Sequence, residues 1–227
     1  MPTSPTARIG TTTTLLLARH GETDWNRDGR YQGKLDIPLN ANGRDQAGKL
    51  SAGLATLKLD AAYSSHLVRA YETAQSVCAK RGLEVVKEPG FAEINHGEWE
   101  GKLAAEVAQT WPKEVDAWRN WPHTVVMPGG ERIADVQSRA VKALTQLARK
   151  HDGQTVLVAA HDATNKALLC WASEAPLSSF WRFKQDPTAL NCLEVTIDGE
   201  KITPRIVLMN SMHHTGAVVS GIVHKAL

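Results

Sequence analysis

The stretch that decides the fold spans residues 15–21 and reads LLLARHG. Four consecutive apolar residues are typical of a strand that is buried on both faces. In open α/β sheets, ligands bind at the carboxyl ends of such strands, which is where Arg19 and His20 stand. Gly21 lets the backbone turn close to a bound group. The stretch therefore predicts a ligand crevice at the end of the first strand.

Arg19 and His20 suit a phosphoryl group. The guanidinium of Arg19 can pair bidentately with phosphate oxygens, and the imidazole of His20 can attack phosphorus. Because such a pair after a strand is more often a solvated turn, the hypothesis depends on the rest of the chain. There, Arg69 begins a predicted helix, Glu93 lies in a glycine-marked segment, and His161 directly follows another apolar run. We expect His20 and His161 to lie side by side if their strands are neighbours.

The composition argues against several classes of protein. Of the 227 residues, 42% are hydrophobic and 22% are charged, as in ordinary globular proteins. The formal net charge of +2 gives no indication of a nucleic-acid partner, and no run approaches the roughly 20 apolar residues of a membrane span. Cys78, Cys170 and Cys192 lack metal-ligand spacing and are interpreted as buried thiols. We expect a cytoplasmic protein that binds neither nucleic acid nor membrane.

The chain is predicted to form one catalytic domain over residues 12–227, preceded by a disordered tail over residues 1–11. Strands are predicted near residues 12–18, 61–63, 83–87 and 155–160, with a hairpin at 192–197 and 203–209. Helices are predicted near 41–55, 67–80, 102–121 with a break at Pro112, 131–150, 164–173 and 177–183. This alternation predicts an α/β fold, a three-layer α/β/α sandwich with a mostly parallel sheet and an antiparallel edge.

Four motifs in this order resemble those of the histidine phosphatase superfamily, the phosphoglycerate mutase-like proteins. The first is RHGET at 19–23, followed by WN at 25–26 and YQG at 31–33. The others are SxxxRAxxTA at 65–74, EIxxGxWEG at 93–101 and PGGE at 128–131. Each motif alone is weak, but the ordered set spans about residues 13–209 and is specific. The resemblance implies the phosphoglycerate mutase-like fold.

The resemblance also implies catalytic roles. His20 would be the nucleophile that becomes phosphohistidine, and Glu93 would protonate the leaving oxygen and later activate water. Arg19, Arg69 and His161 would hold the phosphoryl oxygens. Phosphoryl transfer depends mainly on positioning and charge stabilisation, which these groups supply without a metal or a cofactor. The adjacent histidines at 213–214 would point to opposite faces of a strand, so we predict no metal there.

A second set of residues is predicted to surround the same group. The resemblance places Asn26 and the backbone near Gln32 and Gly33 around the phosphoryl oxygens. The family's second histidine is typically followed by glycine, and here it is followed by Asp162, whose backbone N–H stays available to substrate. Because a carboxylate aimed at phosphate would repel it, we expect this side chain to turn away and cap the following helix. This segment is more similar to fructose 2,6-bisphosphate phosphatases and plant and cyanobacterial sugar-phosphate phosphatases than to mutases.

The predicted function is hydrolysis of a small phosphorylated metabolite, a sugar phosphate or a phospho-acid. One alternative is a 2,3-bisphosphoglycerate-dependent phosphoglycerate mutase, but mutases usually carry ERHYG where residues 93–97 read EINHG. The other is an inactive ligand-binding member, although a binding role would not require the acid at Glu93. The sequence also leaves open whether the protein forms a homodimer. His96 is expected to be a surface or loop histidine, and it merits attention because it lies three residues from Glu93.

Overall fold

A six-stranded sheet forms the centre of the computed structural model, which describes residues 11–217. The strands are β1 (Thr11–Arg19), β2 (Ala61–Ser64), β3 (Val85–Lys87), β4 (Thr155–Ala160), β5 (Leu190–Asp198) and β6 (Lys201–Ser211). Their order across the sheet is β3-β2-β4-β1-β5-β6. The first four pair in parallel, while β5 is antiparallel to β1 and β6 is antiparallel to β5. The prediction of a mostly parallel sheet with an antiparallel edge is confirmed.

Helices connect most of the strands. They are α1 (Asp24–Asp28), α2 (Ala41–Gly53), α3 (Val68–Cys78), α4 (Ala104–Thr110), α5 (Pro112–Asn120), α6 (Ile133–Lys150) and α7 (Asp162–Ala172). Short 3₁₀ turns occupy Pro89–Phe91, Gly97–Trp99, Pro122–Thr124, Leu177–Arg182 and His213–Thr215. The predicted break at Pro112 is present, because proline starts α5 at a position where its missing N–H costs nothing.

Several elements differ from the predicted ones, most by one or two residues at an end, and two of the differences concern the start of the chain. Helix α1 lies in a segment that was predicted as a polar loop; the Thr23 hydroxyl accepts from the Asn26 N–H, and the Asn26 side chain accepts from the Thr23 N–H. Strand β1 begins at Thr11, within the residues predicted as tail. The rest of that tail, residues 1–10, and the C-terminal residues 218–227 lie outside the described residues.

The side chains of β1 alternate between two buried faces of the sheet. Leu15 and Leu17 belong to the apolar cluster that includes residues of α6 and α7. Leu16 and Ala18 belong to the cluster that includes residues of α2 and α3. Because helices cover both faces here, residues 15–18 of the strand are all apolar and do not alternate with polar residues. The three-layer α/β/α arrangement is therefore confirmed.

The two strands that precede the predicted site histidines are direct neighbours. Strands β1 and β4 pair in parallel, with Arg19 opposite Ala160. The His20 N–H donates to the Ala160 carbonyl at 3.0 Å, which continues the pairing beyond β1. The segments that follow β1 and β4 leave the sheet at the same edge. His20 and His161 therefore start from adjacent positions.

The start of α2 packs tightly on the turn that follows β1. Asn40 caps the helix by accepting from the Gly43 N–H at 2.8 Å, and its amide donates to the Glu22 carboxylate at 2.8 Å. A Cβ at Gly43 would lie 2.0 Å from the Glu22 carbonyl oxygen, and a Cβ at Gly21 would lie 2.5 Å from the Gly43 carbonyl oxygen. Neither position has room for a side chain, so the backbone contact fixes the turn beside His20.

We expect Gly43→Ala to destabilise the protein by about 1–3 kcal/mol, because the added methyl must push the turn away from the helix. The matched control is Gly48→Ala in the same helix, where a Cβ would meet nothing within 4 Å. There the better helix propensity of alanine should stabilise the fold by roughly 0.5–1 kcal/mol. Urea unfolding measures both, and equal effects of the two substitutions would contradict the close contact.

Candidate active site

The hydrogen bonds of the backbone hold the end of β1 from both sides. The Arg19 N–H donates to the Ala189 carbonyl at 3.1 Å, and the His20 carbonyl accepts from the Thr188 N–H at 3.2 Å. The segment just before β5 therefore clamps the two residues against β4. Both side chains are buried, Arg19 to 3% exposure and His20 to 2%.

The ring of His20 is held in one orientation by its own turn. Its Nδ1 lies 2.7 Å from the Gly21 carbonyl oxygen. Because a carbonyl can only accept, Nδ1 carries the proton and Nε2 keeps the lone pair. The pKa of His20 lies well below its ordinary value because of burial and because of the nearby charges of Arg69 and Arg19. His20 is thus a neutral imidazole with Nε2 as its basic nitrogen.

His161 lies directly beside this ring. The two ring centroids are 5.1 Å apart, and His161 is fully buried. Within residues 11–217, neither of its ring nitrogens has a hydrogen-bond partner. Burial and the surrounding cations, Arg69 first among them, lower its pKa well below the ordinary value. Buried polar atoms are normally paired, so two unpaired nitrogens beside His20 indicate a place for a polar ligand.

Arg69 provides a second buried guanidinium, in the first turn of α3. It donates to the Gly33 carbonyl at 2.7 Å and to the Leu35 carbonyl at 2.9 Å, which ties the loop after α1 to the site. Burial lowers its pKa to about 10, so it stays charged at neutral pH. Its charge also acts on both histidines, which places positive potential where a phosphate dianion would bind.

Arg19 contacts an acidic residue as well as the clamp segment. Its Nη1 donates to the Gln185 carbonyl at 2.5 Å and lies 3.5 Å from Oδ1 of Asp162. Asp162 Oδ2 accepts from Lys166 at 2.8 Å. The prediction that Asp162 caps the following helix is therefore wrong: α7 begins at Asp162 itself, His161 takes the cap position, and the buried carboxylate binds two cations.

Glu93 is a second buried carboxyl of the site. Its Oε1 accepts from the Ile94 N–H at 2.9 Å, and it is 8% exposed. Burial and, next, the negative charge of Asp162 raise the pKa of Glu93, while Arg69 and Arg19 oppose that change. A carboxyl with a raised pKa holds its proton closer to neutral pH, which is the property a general acid needs.

The PGGE motif at 128–131 supports the segment that carries Glu93. Glu131 accepts from the Asn95 N–H at 2.8 Å and from Arg139 at 3.1 Å. Arg139 in turn donates to the Ala92 carbonyl at 2.6 Å and to the Glu93 carbonyl at 3.0 Å. A Cβ at Gly97 would lie 2.0 Å from the Pro128 carbonyl oxygen, so the two segments touch through backbone.

The three residues predicted to add hydrogen bonds to the phosphoryl group make hydrogen bonds within the protein. The Asn26 side chain is half-buried, and its oxygen accepts from Thr23 within the cap of α1. The Gln32 side-chain oxygen accepts from the Thr23 hydroxyl at 3.0 Å. Gly33 has a positive φ of 52°, and its carbonyl binds Arg69. In the structure these three residues shape the loop around Arg69 and α1; direct contact with a phosphoryl group remains a prediction.

His96 lies in a loop, as one of the two expected alternatives had it, but it is not on the surface. It is 6% exposed and packs against the rings of Tyr31, Trp99 and Trp118. Burial lowers its pKa to about 4, so the ring is neutral. Trp118 and Val115 are buried in the apolar cluster that includes these rings, so they are core residues.

Three residues that sequence reasoning missed belong to the site. Lys166 is 3% exposed and binds Asp162, Gln185 binds Arg19 through its carbonyl, and Arg139 holds the backbone of Glu93. The spacing of Asp162 and Lys166, four residues apart on a helix, is a signal for an ion pair that could have been read. Gln185 contacts Arg19 through its backbone carbonyl, which every residue type has, so the sequence gives no signal for this contact.

The described part of the chain contains neither a metal-binding cluster nor a membrane-spanning helix. Among residues 11–217, no group of three or more histidine, cysteine, aspartate or glutamate side chains is arranged to hold a metal ion. In the same range, no helix is both long enough and apolar enough to cross a membrane.

Comparisons with known proteins agree with this geometry. A family model described as histidine phosphatase superfamily (branch 1) matches residues 15–210. Phosphoserine phosphatase 1 of Hydrogenobacter thermophilus is 39% identical over 181 residues, which cover 80% of this chain and 86% of that protein.

Solved structures match over most of their length. YhfR of Bacillus stearothermophilus has a TM-score of 0.83 and 35% identity, covering 89% of this chain and 98% of that one. A mycobacterial glucosyl-3-phosphoglycerate phosphatase, solved with VO3, has a TM-score of 0.81 and 28% identity, covering 87% and 99%. The predicted resemblance in sequence and fold is therefore confirmed.

Proposed function

The chain belongs to the histidine phosphatase superfamily and is a phosphoric monoester hydrolase; we propose that it hydrolyses a small phosphorylated metabolite through a phosphohistidine on His20. The observation that carries this proposal is the state of His20: a neutral buried ring whose Nδ1–H donates to Gly21 and whose Nε2 keeps its lone pair beside two arginines and His161. A nucleophilic histidine needs these properties.

In the first step, the lone pair of His20 Nε2 attacks phosphorus and the bond from phosphorus to the ester oxygen breaks. Glu93 gives its proton to the departing oxygen, which leaves as an alcohol. Arg19, Arg69 and His161 hold the three other oxygens and stabilise their charge. Because these donors are in place before substrate arrives, little reorganisation opposes the reaction.

In the second step, water attacks the phosphohistidine. Glu93, now ionised, accepts a proton from the water, the bond from phosphorus to Nε2 breaks, and the electron pair returns to the ring. Inorganic phosphate leaves, and Glu93 is protonated again. The same carboxyl therefore acts as acid and then as base, which its raised pKa favours near neutral pH.

Phospho-acids are the first substrates to test, because relatives are named for phosphoserine and for glucosyl-3-phosphoglycerate. The experiment incubates the protein with L-phosphoserine, 3-phosphoglycerate, sugar phosphates and p-nitrophenyl phosphate, and measures inorganic phosphate. We expect phosphate release without added metal or cofactor, and an acid-labile phosphoenzyme after brief exposure to the best substrate.

The same experiment separates the two alternatives. Robust conversion of 3-phosphoglycerate to 2-phosphoglycerate with added 2,3-bisphosphoglycerate and little free phosphate would identify a mutase. Vanadate binding without a phosphoenzyme and without phosphate release from any ester would indicate an inactive binding protein. Either result would overturn the proposed hydrolysis.

A further inference from the structure

Asp162 and Lys166 form a buried ion pair at the start of α7, next to the arginine that ends β1. Asp162 Oδ2 lies 2.8 Å from Lys166 Nζ, and Oδ1 lies 3.5 Å from Arg19 Nη1. The three side chains are each at most 4% exposed. Charges are costly to bury, and removing one partner of such a group leaves the others uncompensated. A buried acid beside a proposed phosphate site therefore needs a reason.

Lys166 holds Asp162 in place. Its Nζ lies 4.5 Å from the centre of the Trp181 ring and 5.4 Å from that of Phe180, so aromatic rings also stabilise the cation. Burial lowers the pKa of Lys166, and the interaction with Asp162 opposes that change. The carboxylate also sits in the first turn of α7, where the helix dipole favours negative charge.

We propose that Asp162, anchored by Lys166, is a positioning residue for the phosphoryl site: its carboxylate orients the guanidinium of Arg19 and balances the charge around Glu93. This inference rests on the proposed function, because it assigns Asp162 an effect on the phosphorylation of His20.

The first part of the effect acts through Arg19. Its Nη1 faces two acceptors, the Gln185 carbonyl and Asp162 Oδ1. Acceptors in two directions fix the plane of the guanidinium before a phosphate arrives, and a preorganised donor costs no reorganisation during the reaction. Asp162 also reduces the formal charge of the group that it forms with Arg19 and Lys166 from +2 to +1.

The second part acts through the proton of Glu93. The start of α7 is tied to the Glu93 segment, because the buried Thr164 hydroxyl donates to the Ala92 carbonyl at 2.7 Å. The ionisable groups around the Glu93 carboxyl are Arg19 on β1, Arg69 on α3, and Asp162 and Lys166 on α7, while Arg139 on α6 donates to the Glu93 carbonyl. The charges of Arg19 and Arg69 also act on the two histidines His20 and His161. The arginines favour the ionised carboxylate, and the charge of Asp162 favours the protonated acid. Removing the Asp162 charge should therefore lower the pKa of Glu93, and removing the Lys166 charge should raise it.

The test measures how the rate of His20 phosphorylation by an alkyl phosphate depends on pH, by rapid quench, in Asp162→Asn and Lys166→Met. Phosphorylation requires protonated Glu93, so its rate falls as pH rises through the pKa of Glu93. We expect this fall to move to lower pH in Asp162→Asn and to higher pH in Lys166→Met, each by roughly one unit. The ionisation of the substrate is common to all variants and does not affect the difference.

A control comes from an exposed pair with the same helical spacing. Lys49 and Asp45 lie 2.7 Å apart on the surface of α2. We expect Asp45→Asn to leave the pH profile of phosphorylation unchanged. A shift in this variant equal to that of Asp162→Asn would overturn the proposal, because it would make the effect one of net charge and not of position.

Shifts of opposite sign would support the proposal, because a shared loss of stability cannot produce them. Unshifted profiles, or shifts in the same direction, would overturn it. If either single variant fails to fold, the double variant Asp162→Asn/Lys166→Met decides, since it leaves no unpaired charge in this pair. A phosphorylation rate of the double variant about tenfold or more below that of the wild type, with an unchanged unfolding midpoint, would support the role of Asp162. A rate equal to that of the wild type would overturn it.

Failure of the proposed function would be visible separately. If His20 is not the nucleophile, the wild-type protein itself forms no acid-labile phosphoenzyme, whatever Asp162 does. If the wild type is phosphorylated normally and only the variants fail to shift, the mechanism stands and the role of Asp162 is excluded.

Discussion

Replacing His20 with alanine is expected to abolish the phosphoenzyme and to lower phosphate release by on the order of 10⁴-fold or more. The substitution removes the atom that is proposed to attack phosphorus, and we expect no other side chain among residues 11–217 to take its role. His161, the nearest candidate, ends a different strand at a ring distance of 5.1 Å and is proposed to hold an oxygen. The measurement combines phosphate release with acid-labile labelling of the protein.

The rest of the site should survive in His20→Ala. Arg19 is held by Gln185 and Asp162, and Arg69 by the carbonyls of Gly33 and Leu35, so neither depends on the ring of His20. We therefore expect vanadate to bind the variant still. The exposed His123 supplies a matched control, and His123→Ala should keep wild-type turnover. Turnover of His20→Ala within tenfold of wild type would contradict a phosphohistidine on this residue.

The core of the site could be predicted because strand ends carry it. The apolar runs before His20 and His161 mark buried strands, and parallel neighbours bring their carboxyl ends to one edge of the sheet. The sequence left open whether the two strands are neighbours, and the pairing of β1 with β4 meets that condition. The position of Arg69 could be predicted in a similar way, because the short strand β2 is followed by α3 and Arg69 lies in the first turn of that helix.

The environment of Asp162 could not be predicted in the same way. Its direction depends on Arg19 from β1 and on aromatic rings from the segment after α7, which are distant in sequence. The expectation that it would cap the helix was based on charge repulsion at the phosphate alone; that the side chain turns away from a bound phosphate stays a prediction. In the structure, neighbouring cations balance that charge, so the carboxylate stays beside Arg19 and does not cap the helix.

Local geometry explains the remaining differences. Helix α1 has five residues, too few to show an apolar period, and its only signal is the pairing of Thr23 with Asn26. His96 follows a glycine-marked irregular segment, which predicts exposure, but the rings of Tyr31, Trp99 and Trp118 cover it. Burial of an irregular segment depends on tertiary packing, which the periodicity of a sequence does not contain.

The second large effect is expected from Glu93→Gln, and its size should depend on the leaving group. For an alkyl phosphate we expect the rate of His20 phosphorylation to fall by roughly 10²–10⁴-fold, because an alkoxide leaves poorly without a proton. For p-nitrophenyl phosphate the fall should be less than about tenfold, because the phenolate is stable without a proton. Glutamine preserves the shape of the side chain and can accept the Ile94 N–H, so the comparison isolates the acid.

The burst phase is the quantity to compare, because Glu93 is also proposed to activate water in the second step. Glu93→Gln should therefore form the phosphoenzyme rapidly from p-nitrophenyl phosphate and then accumulate it, whereas the wild type turns it over. Glu98→Gln, an exposed glutamate of the same segment, is the control and should change neither step. Equal losses of burst rate with both substrates would exclude Glu93 as the proton donor, since a misplaced phosphate would slow the two esters alike.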